Sequence, residues 1–186
     1  MSQTEYDEMR RVFEEADLLH SQAEVEAALD RMASEITDSL GASNPVVFAV
    51  MNGGLVIGGQ LITRLHFPLQ VSYLHATRYR NTTSGFNLEW KVPPMIDFKD
   101  RPVLILDDIL DEGHTLAEIA EYCQREGAAS VQTAVLVNKR HDRKARPNQQ
   151  ADFTGIQIED RYVFGYGMDY KGYWRNAPGI YAVKGL

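Results

Sequence analysis

The chain has 186 residues, 44% of them apolar, which suits one domain with a sizeable core, and its 26 acidic and 19 basic residues leave a net charge of −7. That balance argues against a nucleic-acid-binding module, although a local basic patch stays open. One cysteine excludes an internal disulfide, the polar start MSQTEYDEMRR is no secretory signal, and no apolar run approaches the ~20 residues of a bilayer span, so a cytoplasmic location is expected.

Residues 3–19 read as a helix, with Tyr6, Met9, Val12, Phe13 and Ala16 at helical spacing. Ser21 and Glu24 have capping-box spacing and open a second helix. Its apolar positions are Val25, Leu29, Met32, Ile36 and Leu40, and Gly41 ends it. Both helices read as packing elements. After the Asn44-Pro45 turn, 46–51 is a continuous apolar run, the first buried strand. It stops at Asn52-Gly53-Gly54, and 55–65 reads as a helix. A Gly-Gly pair there lets backbone approach a ligand closely, or simply makes a tight turn. Residues 69–79 read as a second strand. Residues 80–91, RNTTSGFNLEWK, read as a loop or a hairpin, and loops of that size are often lids.

Pro93-Pro94 and Asp100-Arg101-Pro102 lead into the most informative stretch, 103–116, VLILDDILDEGHTL. Four apolar residues form a buried strand, and the acids Asp107 and Asp108 follow it. A turn over Asp111 to Thr115 opens a helix. Such a turn aims backbone N–H groups at one spot on the positive end of a helix dipole, where a phosphate fits. The two acids cannot favour that phosphate. They make sense if they hold hydroxyl groups or a metal beside it, so a phosphorylated ribose with Mg²⁺ is suggested. The plainer alternative is an acidic strand-to-helix turn with Asp as a cap.

In the helix that follows, Leu116, Ile119, Ala120 and Cys123 share one face, which makes Cys123 a core residue. Gly127 closes it. Residues 131–137 form another buried strand, completing a right-handed strand–helix–strand unit. The stretch 138–146, NKRHDRKAR, is either a solvated charged loop or an RNA-contacting patch. Lys139 stands at the carboxyl end of its strand, where ligands collect in parallel sheets. Residues 151–158 and 162–166 read as two short strands. In the aromatic cluster beyond, Phe164, Tyr166 and Trp174 are expected to be core.

The 103–116 stretch resembles the phosphoribosyl pyrophosphate (PRPP) motif of the type I phosphoribosyltransferases. Its pattern is a hydrophobic strand, two acids, two apolar residues, Asp, any residue, Gly, any residue, Thr. The likeness extends over residues 45–184 and is strongest to the hypoxanthine-guanine phosphoribosyltransferases. The resemblance implies an α/β fold: a parallel sheet with helices on both faces, a flexible catalytic loop and a small C-terminal hood. Within one domain it implies N-terminal helices over 1–42, a PRPP-binding core over 43–150, and a purine-binding hood over 151–186. The implied reaction transfers the 5-phosphoribosyl group of PRPP to N9 of hypoxanthine or guanine, giving IMP or GMP plus pyrophosphate, with Mg²⁺ as cofactor.

The same resemblance implies roles for particular residues. Asn52 and Gly53 would bind pyrophosphate, with a cis peptide at Met51-Asn52, although relatives often carry lysine where Asn52 stands. Arg78 and Tyr79 occupy the place of a Ser-Tyr pair on the flexible loop that keeps water from the reacting sugar. Asp107 and Asp108 would hold the ribose hydroxyls, and Asp111 would act as general base near N7 of the purine. The N–H groups of Asp111, Glu112, Gly113, His114 and Thr115 would hold the 5-phosphate, with the Glu112 side chain turned outward. His114 either adds a positive contact or is simply exposed. Lys139 would donate to the purine 6-oxygen, Tyr162 would stack on the ring, and the Val163 carbonyl would accept from the amino group of guanine. Asp169 would hold magnesium and Arg175 would reach pyrophosphate. The implied partners are PRPP and a 6-oxopurine base, with no nucleic acid and no membrane, and a homo-oligomer, dimer or tetramer. Two alternatives remain at this stage: a preference for xanthine or for hypoxanthine alone, and a PRPP-sensing regulator that binds RNA through 138–146.

Overall fold

The structure, a computed structural model, describes residues 3–79 and 87–186. The elements run α1 (Gln3–Glu15), β1 (Asp17–Ser21), α2 (Gln22–Leu40), β2 (Val46–Val50), α3 (Gly54–Ile62), β3 (Gln70–Tyr79), β4 (Asn87–Val92), β5 (Pro102–Leu110), α4 (His114–Arg125), β6 (Ser130–Arg140), β7 (Phe153–Glu159), β8 (Val163–Phe164) and β9 (Gly179–Ala182).

The main sheet has the order β4-β3-β2-β5-β6-β7, with β4 antiparallel at its edge and the other pairings parallel. Alternation along the central strands sorts two cores. Val47, Leu104 and Leu106 pack under α2 and α3 with Leu29, Met32, Ile36, Ile57 and Leu61. Val46, Phe48, Val103 and Ile105 pack under α4 with Leu116, Ile119 and Cys123. Each strand therefore buries both faces, which is why it reads as an unbroken apolar run. Cys123 is fully buried, and burial pushes its thiol up to about 12, so it is a core residue and no nucleophile. The capping box at the start of α2 forms as its spacing predicts: Glu24 N–H donates to the Ser21 side chain, and Ser21 N–H donates to the Glu24 carboxylate at 2.8 Å.

A second, three-stranded antiparallel sheet has the order β1-β9-β8. Phe164, Ala177 and Val183 pack there against Val12 and Phe13 of α1 and against Trp174 and Tyr181. The Trp174 indole N–H donates to the Met9 carbonyl at 2.8 Å. Tyr166 packs instead in the larger core under α2 and α3.

Two expectations need correction. The first helix stops at Glu15, and Asp17 to Ser21 is a strand paired with β9. The ladder and the Arg161–Asp17 ion pair at 2.9 Å override local helical preference there. The central strand does not end before its acids but runs on to Leu110, because β6 pairs with it as far as Asn138. Of 80–91, read as a loop or a hairpin, the part from Asn87 on is strand, paired antiparallel with β3 as in the hairpin reading, and Trp90 lies against Tyr122 at 4.9 Å. Residues 80–86, the centre of the expected flexible loop, lie outside the described residues, as do the side chains of Arg78 and Tyr79. Among the described residues no helix is long and apolar enough to cross a membrane.

This topology fixes where a ligand can sit. From β2 the chain goes to β3 on one side, whereas β5, β6 and β7 build out the other. The carboxyl ends of β2 and β5 therefore border a switch-point crevice. Pairing of β2 with β5 stops at Ala49 and Leu106, so the four further residues of β5 project past its neighbour. Asp107 and Asp108 lie on that projection.

Candidate active site

A cavity of 440 Å³ opens at this crevice, lined among others by Asn52, Gly53, Asp107, Asp108, Asp111, Thr115, Lys139, Tyr162, Val163, Asp169 and Arg175. A second hollow of 300 Å³ adjoins it over Asp107 to Leu116 and includes Glu112, Gly113 and His114. Every candidate residue outside the 78–79 pair therefore lines one hollow or the other.

The acidic pair sits at the floor. Asp107 Oδ1 accepts from the Asp108 N–H at 2.9 Å. Burial first, and then the charge of Asp108, push the Asp107 carboxyl well above the ordinary carboxylate range. Burial also raises Asp108, against the lowering effect of the Asp107 hydrogen bond and the Arg175 charge. Asp108 packs on the Gly53 backbone, where a Cβ would lie 2.2 Å from its Oδ2. The Met51–Asn52 bond beside it is cis, as expected, and Gly54 opens α3 directly afterwards.

Arg175 faces this floor. It lies 3.7 Å from Asp108 Oδ2, forms a tight ion pair with Asp169, and donates to the Gly167 carbonyl. The other Asp169 oxygen accepts from the Gly172 N–H at 2.6 Å. Gly167 has φ +109°, and a Cβ there would lie 2.3 Å from the Gly53 carbonyl oxygen. Gly167→Ala is therefore expected to cost more than about 1 kcal/mol, because left-handed strain and a backbone clash add. A drop in Tm would register it.

The turn into α4 has the form of an anion cradle. Gly113 adopts φ +81° as the N-terminal flanking residue and, as glycine, brings no capping side chain of its own to the start of the helix. Glu112 and His114 approach one another at 3.8 Å, with the His114 side chain 23% exposed. His114 is thus largely covered while it lines the second hollow.

Asp111 is held at both oxygens. Lys139 Nζ donates to Oδ2 at 3.1 Å, and His141 Nε2 lies 2.7 Å from Oδ1. Burial alone would raise its pKa. The hydrogen bonds and charge of Lys139, joined by His141, outweigh burial and hold the carboxyl below its ordinary range. Lys139 is buried and also faces Asp160 at 3.9 Å. The ligand-type atoms of Asp111, His141 and Asp160 lie within 4.8 Å of one another. Lys139 and Arg143 already neutralise these carboxylates, so the trio is an ion-pair cluster and not a vacant cation cage.

The basic stretch 138–146 is directed inward or paired across the surface. Arg140 pairs with Glu159, Arg143 with Asp160 at 2.7 Å, and Arg146 with Glu121. Lys144 Nζ donates to the carbonyls of Leu110 and Asp111 at 2.8 and 2.7 Å and to Asn138 Oδ1. Lys144 thus folds the loop around the end of β5, and the other three cations have acidic partners, which disfavours the RNA-contacting alternative.

On the opposite wall, Tyr162 is 42% exposed and meets Tyr170 edge-on at 5.6 Å. The Tyr162 carbonyl accepts from Val183 N–H, and Val163 pairs with Ala182. Alternation then turns the Val163 carbonyl away from β9, toward the free edge of β8. Reasoning from sequence missed His141, Asp160, Lys144 and Gly167. A histidine two residues beyond Lys139 was the available signal for the first.

The chain belongs to the phosphoribosyl transferase domain family, whose model matches residues 15–171. It is 30% identical over 169 residues to a hypoxanthine-guanine phosphoribosyltransferase of Bacillus subtilis, covering 90% of this chain and 92% of that one. It is 29% identical over 167 residues to a hypoxanthine-guanine-xanthine phosphoribosyltransferase of Tritrichomonas foetus, covering 90% and 91%. A solved hypoxanthine phosphoribosyltransferase from Staphylococcus aureus superposes with a TM-score of 0.84 at 25% identity, covering 90% and 91% of the two chains.

Proposed function

We infer that this protein serves purine salvage by transferring the 5-phosphoribosyl group of PRPP to N9 of hypoxanthine or guanine, releasing pyrophosphate and forming IMP or GMP. The observation that carries this reading is the juxtaposition of Lys139 and Asp111 at 3.1 Å in one cavity with the glycine-led turn into α4. A cation suited to an oxo group, an acid suited to a ring N–H and an anion cradle are what a 6-oxopurine and a phosphoribosyl donor need side by side. The relatives named for hypoxanthine and guanine support it.

The chemistry follows from these groups. The 5-phosphate sits on the N–H groups of 111–115, with the Thr115 hydroxyl as a further donor. Asp107 and Asp108 accept from the ribose hydroxyls and fix the ring. Tyr162 stacks on the purine, the Val163 carbonyl accepts from the amino group of guanine, and Lys139 turns from Asp111 to the 6-oxygen. Asp111 then takes the N7 proton as N9 bonds to C1. Arg175, released from Asp169, meets the charge growing on pyrophosphate beside Asn52 and Gly53. Asp108 and Asp169 share the one guanidinium of Arg175, so the site has carboxylate oxygen to spare for a hard cation. Asp169 would hold Mg²⁺, which supplies charge neutralisation at the pyrophosphate. In this reading the three-stranded sheet with Tyr162 is the hood over the base, and Arg78 and Tyr79 belong to the loop that excludes water. A cytoplasmic homo-oligomer, dimer or tetramer, completes it; Leu55, Val71 and Tyr73 expose apolar surface that a second copy would cover.

The test is a spectrophotometric assay with PRPP and Mg²⁺ against hypoxanthine, guanine, xanthine and adenine in parallel. Hypoxanthine and guanine should turn over and adenine should be inert, because its 6-amino group would face the Lys139 donor. Adenine turnover at a comparable rate would refute the role given to Lys139.

A further inference from the structure

His141 lies one residue past the end of β6, and its side chain is 5% exposed. One ring nitrogen, Nε2, is 2.7 Å from Asp111 Oδ1. The other, Nδ1, is 3.1 Å from the backbone N of Arg143. A backbone N–H can only donate, so Nδ1 must accept. In the neutral ring the single proton then sits on Nε2 and is donated to Asp111. The loop backbone thus dictates the tautomer.

The two donors on Asp111 differ in kind. Lys139 reaches Oδ2 on a long flexible stem and is the group that the proposed function sends to the purine. His141 reaches Oδ1 with a short ring pinned on its far side. When Lys139 leaves, His141 is the side chain still holding the carboxylate. Other charges face this cluster: Asp160 is 3.9 Å from Lys139 and is paired with Arg143, and Lys144 lies on the Asp111 carbonyl. Glu112 is next in the chain and is approached by His114. None of these contacts puts a second side-chain donor on Oδ1.

We propose that His141 is a positioning residue for Asp111: its Nε2–H, locked in one tautomer by the Arg143 N–H, fixes the carboxylate so that Oδ2, the oxygen Lys139 gives up, is offered to the base. This rests on the function proposed above. During transfer the N7 proton passes to Oδ2, N9 bonds to C1, and the C1–O bond to pyrophosphate breaks with its electron pair leaving on pyrophosphate. His141 keeps its proton throughout.

The test uses His141→Ala and His141→Gln in the full chain. The Gln amide can place an N–H donor near where Nε2 stood. A ¹³C carboxyl titration of the unliganded protein should show the Asp111 pKa rising by about one pH unit in H141A, because a donor to the charged form is lost. H141Q should hold it near the wild-type position. A long-range ¹H–¹⁵N spectrum of the wild type should show Nε2 protonated and Nδ1 bare. In the assay, H141A should lose about 10-fold or more in kcat with KM for PRPP unchanged, the acid limb of its pH profile should move up with the titration, and H141Q should recover most of the rate. An Asp111 titration identical in wild type and H141A, or a protonated Nδ1, would overturn the proposal. Both readouts are made without substrate. A wild type that turns over no purine would therefore sink the functional reading alone, while the titration and tautomer still decide whether His141 holds Asp111.

Discussion

Replacing Asp111 with Asn is expected to lower kcat for hypoxanthine by about 10²–10⁴-fold, the usual scale for removing a general base. The amide keeps the size of the carboxylate and can still accept from Lys139 or His141 through its carbonyl oxygen. It cannot take a proton from N7. PRPP binding should survive within a few-fold, because the contacts proposed for the 5-phosphate are backbone N–H groups, which a side-chain substitution leaves in place. The pH dependence has a definite sign. In the free protein Lys139 and His141 hold the Asp111 carboxyl below its ordinary range, against the opposing pull of burial. The acid limb of kcat/KM, which reports the free enzyme, should therefore fall below the usual carboxylate pKa and vanish in D111N. Lys139→Met should move that limb upward, since it deletes the larger of the two stabilising contacts. A D111N variant with near-wild-type kcat would remove Asp111 from the chemistry.

Asp107→Asn should make the protein more stable and less active. Burial and the charge of Asp108 raise the Asp107 carboxyl well above the carboxylate range in the fold. A raised folded pKa means that ionising the group costs folding free energy. The cost begins as pH rises past the unfolded value, roughly 3.9, and grows until the folded pKa is reached. An amide has nothing to ionise. The variant should therefore match the wild type near pH 4 and exceed it at pH 8, by about 2–4 °C in Tm for each 1 kcal/mol gained in a chain of this length. In the proposed reaction the same change would replace a carboxylate acceptor for a ribose hydroxyl by a neutral one, and about 10–100-fold in kcat/KM for PRPP should be lost, the value of a charge-assisted hydrogen bond. Scanning calorimetry at both pH values, beside the kinetic constants, checks both halves. A variant less stable at pH 8 would contradict the electrostatic description of this floor.

The parts legible in the chain were those governed by short range. The apolar runs marked the buried strands because each strand is covered on both faces. Ser21 and Glu24 marked the start of α2 because a capping box is local chemistry. The turn over 111–115 was legible because a glycine at φ +81° must stand between strand and helix. What was hidden depended on residues far apart. Strand β1 exists because β9, some 160 positions on, offers it a ladder, and nothing between Asp17 and Ser21 announces that. The basic stretch looked like a free patch because its partners Glu121, Glu159 and Asp160 lie on other elements. Asp111 read as a base in need of assistance, whereas the fold supplies two donors that weaken it.

The most direct test of the account is a ³¹P NMR time course of the purified protein with PRPP, Mg²⁺ and hypoxanthine. The account predicts that each PRPP consumed yields one nucleoside 5′-monophosphate and one pyrophosphate, and that PRPP persists when adenine replaces hypoxanthine. PRPP consumed without nucleotide, or left intact beside hypoxanthine and guanine alike, would contradict it.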